Sequence, residues 1–260
     1  MNLKITIFPL LPLALLLNLA TCCKEDPIPR KGKSSAVFNP DKEYGTVQDI
    51  DGNEYKTITI GTQTWMAENL RVTHYRNGDP IPNVTGAKDS SLWGQQTQGA
   101  WCSYENTRDV DEIVTYGLLY NWYTCVDERG LCPDGWHVPT DEEWTILVTY
   151  LDNGDNAFDP NGTGANGIVG GRLKETGTHH WAFPNRFADN SSGFTALPGG
   201  FRDVHKGVFQ YKTFVCQYHS ITLFAAMYPL GRTISTDFAG ITRSGSPMTV
   251  GRSVRCIQNE

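Results

Sequence analysis

Alternating hydrophobic and polar positions mark the start of an antiparallel sheet in the first third of the chain. The alternating runs cover residues 47–50 and 55–60, and Asp51–Gly52 lies between them. An Asp-Gly pair in this setting favours a tight hairpin turn, because both central residues of such a turn need a positive φ. Gly61 and Thr62 allow another turn before residues 63–66. The pattern therefore predicts a small antiparallel sheet at the start of the folded domain.

A helical pattern follows Pro139. Thr140 is a suitable N-cap and Glu143 stands three residues later, which together form a capping box. The apolar positions then recur at helical spacing and form one buried stripe, made of Trp144, Leu147, Val148 and Leu151. Asp152–Asn153–Gly154 is expected to end this helix, and residues 113–126 form a second helix candidate.

The remaining sequence is rich in turn-forming residues. Glycine and asparagine are concentrated over residues 152–171, and a second turn-rich stretch spans residues 184–200. Short strands, long loops and one or two helices predict a single α+β domain over residues 46–258.

The N-terminus has the pattern of an export signal. A cationic start at Lys4 precedes an apolar run over residues 5–17, and the run ends at Leu19–Ala20–Thr21–Cys22. This end resembles a bacterial lipobox, which implies a signal peptide over residues 1–21 and a lipid on Cys22. Plain secretion, with Cys22 and Cys23 as ordinary thiols, is the alternative. Residues 22–45 are rich in Pro, Lys, Gly and Ser, which predicts lipid attachment followed by a flexible tether.

Composition excludes several classes of protein. The 260 residues are 39% hydrophobic and 11% aromatic, which excludes disorder for the bulk of the chain. The formal net charge of −6 argues against nucleic acid as a partner, because phosphate binding needs a basic face. After the signal peptide no stretch approaches the roughly 20 apolar residues of a membrane-spanning helix. The predicted partners are the membrane, through the lipid, and an extracellular glycan or protein.

A set of motifs along the chain resembles the Fibrobacter succinogenes major paralogous domain family. The motifs occur in order at residues 51–55, 60–61, 65–70, 117–122, 131–144, 170–174, 193–194, 197–202 and 253–256. The family occurs in secreted proteins and lipoproteins of Bacteroidetes and Fibrobacteres and has no settled activity. One departure is clear: members usually carry a Trp-Ser-Ser-Thr-like strand where this chain reads Phe214–Val215–Cys216–Gln217–Tyr218–His219–Ser220.

A wider resemblance concerns the fold. Residues 139–144 resemble a helix start of formylglycine-generating enzymes, and the Cys-Pro-x-Gly-Trp run at 132–136 is similar to the opening of many C-type lectin domains. Both groups imply a C-type lectin-like fold, with a twisted antiparallel sheet, one or two helices and long loops. A shared fold does not establish a shared function.

The cysteines favour disulfides over a metal site. There are seven, and six remain if Cys22 carries lipid. Six cysteines can pair in fifteen ways. We expect at least one disulfide involving Cys132 or Cys256, which would join the helix entry to the last strand. Cys102 lies in a family-like motif, whereas Cys125 and Cys216 are candidates to pair with each other.

No metal, cofactor or catalytic residue is predicted. The histidines lack metal-ligand spacing, and no domain cysteines have the Cys-x-x-Cys spacing of a zinc site. Asp152, Asp155 and Asp159 miss the spacing of an EF-hand loop, although calcium in the loops stays an open alternative. Asp203 and Glu175 are expected to be solvated surface acids rather than a glycosidase pair.

Candidate ligand-binding residues are aromatic. Trp93, Trp101 and Trp181 stand in polar, glycine-rich surroundings, where exposed rings could stack on sugars. Trp181 and His179, two positions before it, are the predicted ligand-binding residues, displayed by loops between Asn153 and Gly200. The favoured hypothesis is a binding or adhesion module that does not turn its ligand over. The alternative is an enzyme of unrecognised type that acts on extracellular polysaccharide.

Overall fold

A computed structural model describes residues 32–85, 91–153 and 167–260. The predicted signal peptide, Cys22 and the first part of the predicted tether lie outside the described residues. So does the glycine-rich stretch 154–166, which contains Asp155 and Asp159. Within the described ranges, no helix has both the length and the apolar character that crossing a membrane requires.

The elements are numerous and mostly short. The strands are β1 Gly45–Gln48, β2 Glu54–Ile60, β3 Gln63–Met66, β4 Trp101–Cys102, β5 Leu119–Tyr120, β6 Trp136–His137, β7 Phe201–Arg202, β8 Phe209–Gln210, β9 Val215–Phe224, β10 Tyr228–Ser235, β11 Thr242–Gly245 and β12 Ile257–Gln258. The helices are α1 Ser91–Gly94, α2 Val110–Tyr116, α3 Trp122–Cys125, α4 Asp141–Asp152 and α5 Val169–Leu173, with a 3₁₀ turn at Tyr104–Asn106. The domain is therefore α+β, as predicted.

The strands form antiparallel sheets. The largest has the order β1-β2-β3-β12-β6, so the last strand of the chain enters the sheet that the first strands begin. A second sheet has the order β11-β10-β9, and the pairs β4-β5 and β7-β8 form two small ribbons. The predicted opening sheet is confirmed.

The first hairpin differs from its prediction in its turn. Gln48 pairs with Glu54, so the loop has five residues rather than two, and Gly52 alone of the Asp-Gly pair has a positive φ, at 79°. Asp51 is instead buried, and its carboxylate accepts hydrogen bonds from the backbone and hydroxyl of Thr73, both at 2.7 Å. The side chain of Asp51 thus fastens the loop to the domain.

The predicted helix over residues 141–152 is confirmed as α4. The Thr140 hydroxyl accepts from the Glu143 backbone at 3.1 Å, and the Glu143 carboxylate accepts from the Thr140 backbone at 2.7 Å. Asn153 ends the helix in the left-handed conformation, with φ 52°. The apolar stripe is buried, and the Trp144 ring lies 4.7 Å from that of Trp65 in the core.

The second helix candidate, residues 113–126, is wrong as a continuous helix. The chain forms α2, then β5, then α3. Gly117 ends α2 with φ 75°, a conformation that glycine adopts without a steric cost. β5 then pairs with β4, so sheet pairing replaces helix over these residues.

One disulfide joins distant parts of the domain. Cys132 and Cys256 are bonded across a sequence separation of 124, which confirms the predicted link between the helix entry and the last strand. Cys102, Cys125 and Cys216 are buried free thiols, so the predicted pairing of Cys125 with Cys216 is wrong. All three lie within packed core, where they act as small apolar side chains.

The predicted tether is corrected over residues 32–44, which pack against the domain. The Val37 backbone donates to the carboxylate of Glu175 at 2.6 Å, and the Asn39 side chain donates to the Asn190 carbonyl at 2.9 Å. The Tyr44 hydroxyl donates to the Gly193 carbonyl at 3.0 Å. Polar composition suggested solvation here, but hydrogen bonds from the backbone and side chains of this segment hold it against the domain.

Candidate functional site

The predicted ligand-binding tryptophan is a core residue. Trp181 is 1% exposed, and its indole nitrogen donates to the Ala196 carbonyl at 2.9 Å. Trp93 and Trp101 are buried as well. The expectation that these three rings are exposed is therefore wrong, and none of them can stack on a ligand.

Other aromatic side chains are exposed in their place. Five of them lie on loops around residues 183–187, 211–214 and 238, with exposed fractions from 48% to 85%. They are Phe183, Phe187, Tyr211, Phe214 and Phe238, called the aromatic face below. Soluble proteins seldom leave large apolar side chains exposed on adjacent loops unless the surface meets a ligand or partner.

Backbone hydrogen bonds join the three loops that carry the aromatic face. The Ala182 amide donates to the Thr213 carbonyl at 2.8 Å. The Thr236 amide donates to the Phe214 carbonyl at 2.9 Å, and the Arg186 amide donates to the Thr236 carbonyl at 2.8 Å. Backbone hydrogen bonds thus hold the three loops next to one another, and the exposed rings project from neighbouring positions.

A buried lysine adds a second support beneath the aromatic face. Lys174 Nζ donates to the carbonyls of Arg186, Ser235 and Phe238, at 2.8, 3.1 and 3.0 Å. Burial lowers the pKa of Lys174 to about 8. One ammonium group therefore holds two of the loops at once, and its three acceptors satisfy its three donors.

Parts of the aromatic face have a strained backbone. Phe187, Tyr211 and Thr213 have φ values of 58°, 59° and 70°, in the left-handed region that non-glycine residues rarely adopt. Thr213 is β-branched, which makes this conformation still less favourable for it. Such strain is typical of sites where the surrounding structure fixes residues for binding.

A groove adjoins the aromatic face. Its volume is about 740 Å³, and it is lined by Lys33, Ser34, Ser35, Asp111, Glu112, Thr115, Tyr116, His179, His180 and Lys212. Lys212 follows Tyr211 in sequence, which places one wall of the groove next to the aromatic face. The lining is mostly polar, so the groove offers hydrogen-bond partners beside an apolar surface.

His179, the second predicted ligand-binding residue, is exposed at this groove. Its ring lies edge-on to that of His180, with centroids 4.4 Å apart. His180 is buried whereas His179 is exposed, although the two rings are in contact. A ligand-binding role for His179 stays a prediction.

A hydrogen-bonded chain crosses the base of the groove. Ser35 Oγ lies 2.9 Å from His180 Nε2, and His180 Nδ1 lies 2.7 Å from Glu175 Oε2. Glu175 is fully buried, so the expectation that it is a solvated surface acid is wrong. Asp203, which with Glu175 was weighed as a glycosidase pair, accepts a hydrogen bond from the side chain of Gln210 at 3.0 Å.

The groove is electrostatically mixed. Lys212 pairs with Glu112, and its Nζ lies 4.5 Å from the centre of the Tyr116 ring. Burial lowers the pKa of Lys212.

Across the described ranges there is no group of three or more His, Cys, Asp or Glu that could hold a metal ion. Burial also raises the pKa of Cys102 and Cys216 to about 12, which makes these thiols poor nucleophiles.

Sequence reasoning missed both the aromatic face and the groove. Phe183 and Phe214 are ordinary core residues by type, and their exposure depends on loops that meet only in the fold. Ser35 and His180 are 145 positions apart, and Ser35 lies in a stretch whose composition predicted a tether. The turn-rich stretch 184–200 was a usable signal for a loop surface, but not for which side chains it exposes.

A sequence model of the Fibrobacter succinogenes major domain matches residues 58–258. The matched region contains the whole aromatic face together with Glu175 and His180, whereas Ser35 precedes it. No curated protein and no solved structure matches the chain.

Proposed function

The chain belongs to the Fibrobacter succinogenes major domain family, and we propose that it is a surface lipoprotein that binds an extracellular ligand through the aromatic face. The ligand is a glycan or a protein, and a glycan is favoured. The proposal rests on five exposed aromatic side chains on three loops that backbone hydrogen bonds join. Aromatic rings supply a large contact area at a low cost in conformational entropy.

The groove supports a glycan in particular. Sugars present both apolar C–H faces and hydroxyl groups, so a site for them combines rings with polar side chains. The aromatic face provides the rings, and the hydroxyl, carboxylate and ammonium groups of the groove provide hydrogen-bond partners. His179 at the groove is placed to contribute to this surface.

We also propose that the fold is C-type lectin-like. Antiparallel sheets, few helices and long loops support this assignment. The Cys-Pro-x-Gly-Trp run at 132–136 supports it further, since its cysteine is bonded to Cys256 beside the last strand.

Anchoring at the outer membrane rests on Cys22. If this residue carries lipid, the nine residues 23–31 can span at most about 30 Å, so the domain would stay close to the membrane surface. Cys22→Ala is expected to release the protein from the membrane fraction. A variant that stays membrane-bound like the parent would contradict lipid attachment at this residue.

A binding screen tests the proposed function. The full chain in detergent is applied to arrays of bacterial and host glycans and of envelope proteins, alongside the double variant Phe183→Ala/Phe214→Ala. The matched control is Phe224→Ala, because Phe224 is 59% exposed but lies at the end of β9, on the hairpin with β10.

We expect glycan binding by the parent and the control, and at least tenfold weaker binding by the double variant. Binding to proteins alone would assign a protein ligand. Equal binding by all three chains, or no binding by the parent, would contradict a role for the aromatic face.

A further inference from the structure

We propose that Ser35, His180 and Glu175 form a hydrolytic site for carboxylic esters. The inference goes beyond ligand binding and does not depend on the aromatic face. It revises the sequence-based expectation that the ligand is not turned over. Its basis is the uninterrupted chain from Ser35 Oγ through His180 to Glu175, with distances of 2.9 and 2.7 Å. A nucleophile, a base within hydrogen-bond reach and a third group that orients the base define sites of this kind.

The hydrogen bonds of Glu175 assign the protons. The Glu175 carboxylate accepts from the Val37 amide through Oε1, and its Oε2 faces His180 Nδ1. Because a carboxylate can only accept, Nδ1 carries a hydrogen, and in the neutral imidazole Nε2 then keeps its lone pair. That lone pair faces Ser35 Oγ, so the hydroxyl donates to Nε2 as a nucleophile donates to its general base.

The burial of the three groups matches their roles. Ser35 is exposed at the groove, whereas His180 and Glu175 are buried. The His180 ring packs edge-on against Tyr116, with centroids 5.6 Å apart. The nucleophile is therefore accessible to a substrate, while the base and its orienting group are shielded from water.

The Ser35 hydroxyl is not needed to hold residues 32–44 in place. Residues 32–44 are already held by backbone and side-chain hydrogen bonds that do not involve the Ser35 hydroxyl. Lys33 donates to Asp111 at 2.8 Å, Val37 to Glu175 at 2.6 Å, and the Ser35 amide itself to Thr115 Oγ1 at 3.1 Å. The Ser35 hydroxyl thus adds a contact that fastening alone does not require.

Ester hydrolysis at this site has two stages, acylation of Ser35 and hydrolysis of the acyl-Ser35 ester. Ser35 Oγ attacks the ester carbonyl carbon, its proton passes to His180 Nε2, and the carbonyl π electrons move to oxygen. The carbonyl re-forms, the bond to the alkoxy group breaks, and His180 returns the proton to the departing alcohol. Water then attacks the carbonyl carbon of the acyl-Ser35 ester and gives one proton to His180. The bond from this carbon to Ser35 Oγ breaks, His180 returns the proton to Oγ, and the carboxylic acid leaves.

Neighbouring groups border this site without entering the bond changes. Lys212 lines the same groove, where it pairs with Glu112, so an ion pair rather than a free cation borders the site. Thr115 Oγ1 lies 3.1 Å from Ser35 Oγ, so this hydroxyl has a second hydrogen-bond partner besides His180. Glu175 is a positioning residue, since it acts through His180.

Two probes test the site on the full chain in detergent: hydrolysis of p-nitrophenyl acetate, and labelling by a fluorophosphonate followed by peptide mass spectrometry. Ser35→Ala removes the nucleophile at an exposed position. Ser244→Ala is the matched control, because Ser244 is exposed on β11 and does not line this groove.

We expect the label on Ser35 in the parent and in Ser244→Ala, and at least 100-fold slower ester hydrolysis by Ser35→Ala. Glu175→Gln should keep the hydrogen bond from Val37 but present an amide donor to His180 Nδ1, which forces the hydrogen onto Nε2. This variant should lose labelling and kcat while its melting temperature stays near that of the parent, an effect that a merely structural role would not produce.

An unlabelled parent, a label on another residue, or unchanged hydrolysis by Ser35→Ala would overturn the proposal. Each of these results leaves the glycan-binding test unaffected, so the two proposals fail separately.

Discussion

The guanidinium of Arg255 donates from Nε to the side-chain oxygen of Asn69 over 2.7 Å, at full burial. These residues lie 186 positions apart, and the contact joins the segment after β3 to the segment before β12. Other nitrogens of Arg255 donate to the carbonyls of Phe194 and Thr195 at 2.6 and 2.9 Å. One side chain therefore connects three regions of the domain.

Replacing Arg255 by Lys should be strongly destabilising. A lysine cannot reach the acceptors that the guanidinium fork serves, and each buried acceptor left unpaired costs about 1–3 kcal/mol. We expect the free energy of unfolding in urea to fall by about 3 kcal/mol or more. The control is Arg76→Lys, since Arg76 is exposed and pairs with Asp134 at 3.6 Å on the surface. A change as small as the control's would show that Arg255 does not hold these regions together.

Local signals in the sequence predicted the elements that depend on neighbours along the chain. The capping box of Thr140 and Glu143 and the stripe beginning at Trp144 determine α4 within one stretch of sequence, and α4 formed as predicted. The α2 boundary was missed because Gly117 and the pairing of β5 with β4 outweigh helical propensity over residues 117–120.

Nonlocal contacts explain the rest. A buried Arg255 or a buried Glu175 is improbable from residue type alone, and only partners far along the chain make the burial favourable. Trp181 and Phe183 show the same limit: they stand two positions apart in one loop, and the sequence gives no reason for the first to be buried and the second exposed. The candidate site was therefore predictable as a loop region, but not residue by residue.

The burial of Trp181 and the exposure of Phe183 lead to a prediction about each residue. Trp181→Ala should cost about 3–5 kcal/mol of stability, because it removes a fully buried ring. Phe183→Ala should change stability by no more than about 0.5 kcal/mol, because its ring is 85% exposed. Urea denaturation of both variants measures the difference. Similar stability losses in the two would contradict the assignment of one ring to the core and the other to the surface.

The disulfide should stabilise the domain through the loop it closes. With a sequence separation of 124, the chain-entropy model gives up to about 4–5 kcal/mol, which is an upper bound. Cys132→Ser/Cys256→Ser should lower the urea midpoint markedly, whereas Cys125→Ser alone should not act through loop closure. Non-reducing peptide mass spectrometry should find the Cys132–Cys256 bridge. Recovery of both residues as free thiols from the cell envelope would contradict it.

Acid should destabilise the protein through His219. Burial, followed by the charge of Arg252, lowers the pKa of His219 to about 3, from an ordinary value near 6.5. Between these values the unfolded chain binds one more proton than the folded chain, so stability present above pH ~6.5 is lost as pH falls, by about 1.4 kcal/mol per pH unit.

The test compares the parent with His219→Gln, which keeps a donor for the Tyr120 carbonyl that His219 Nε2 contacts at 2.8 Å. Urea unfolding at several values between pH 6.5 and pH 4 should give a steeper decline for the parent than for the variant. Parallel declines would show that His219 takes up a proton as readily when folded as when unfolded.

The most direct test of binding through the aromatic face is a hydrogen–deuterium exchange footprint on the unmodified full chain, with and without the glycan selected by the array. We expect slower amide exchange in segments 182–187 and 211–214 when the glycan is present, and unchanged exchange in the β9–β10 hairpin around Phe224. Protection confined to the hairpin or to any other surface, with segments 182–187 and 211–214 unchanged, would contradict binding through the aromatic face.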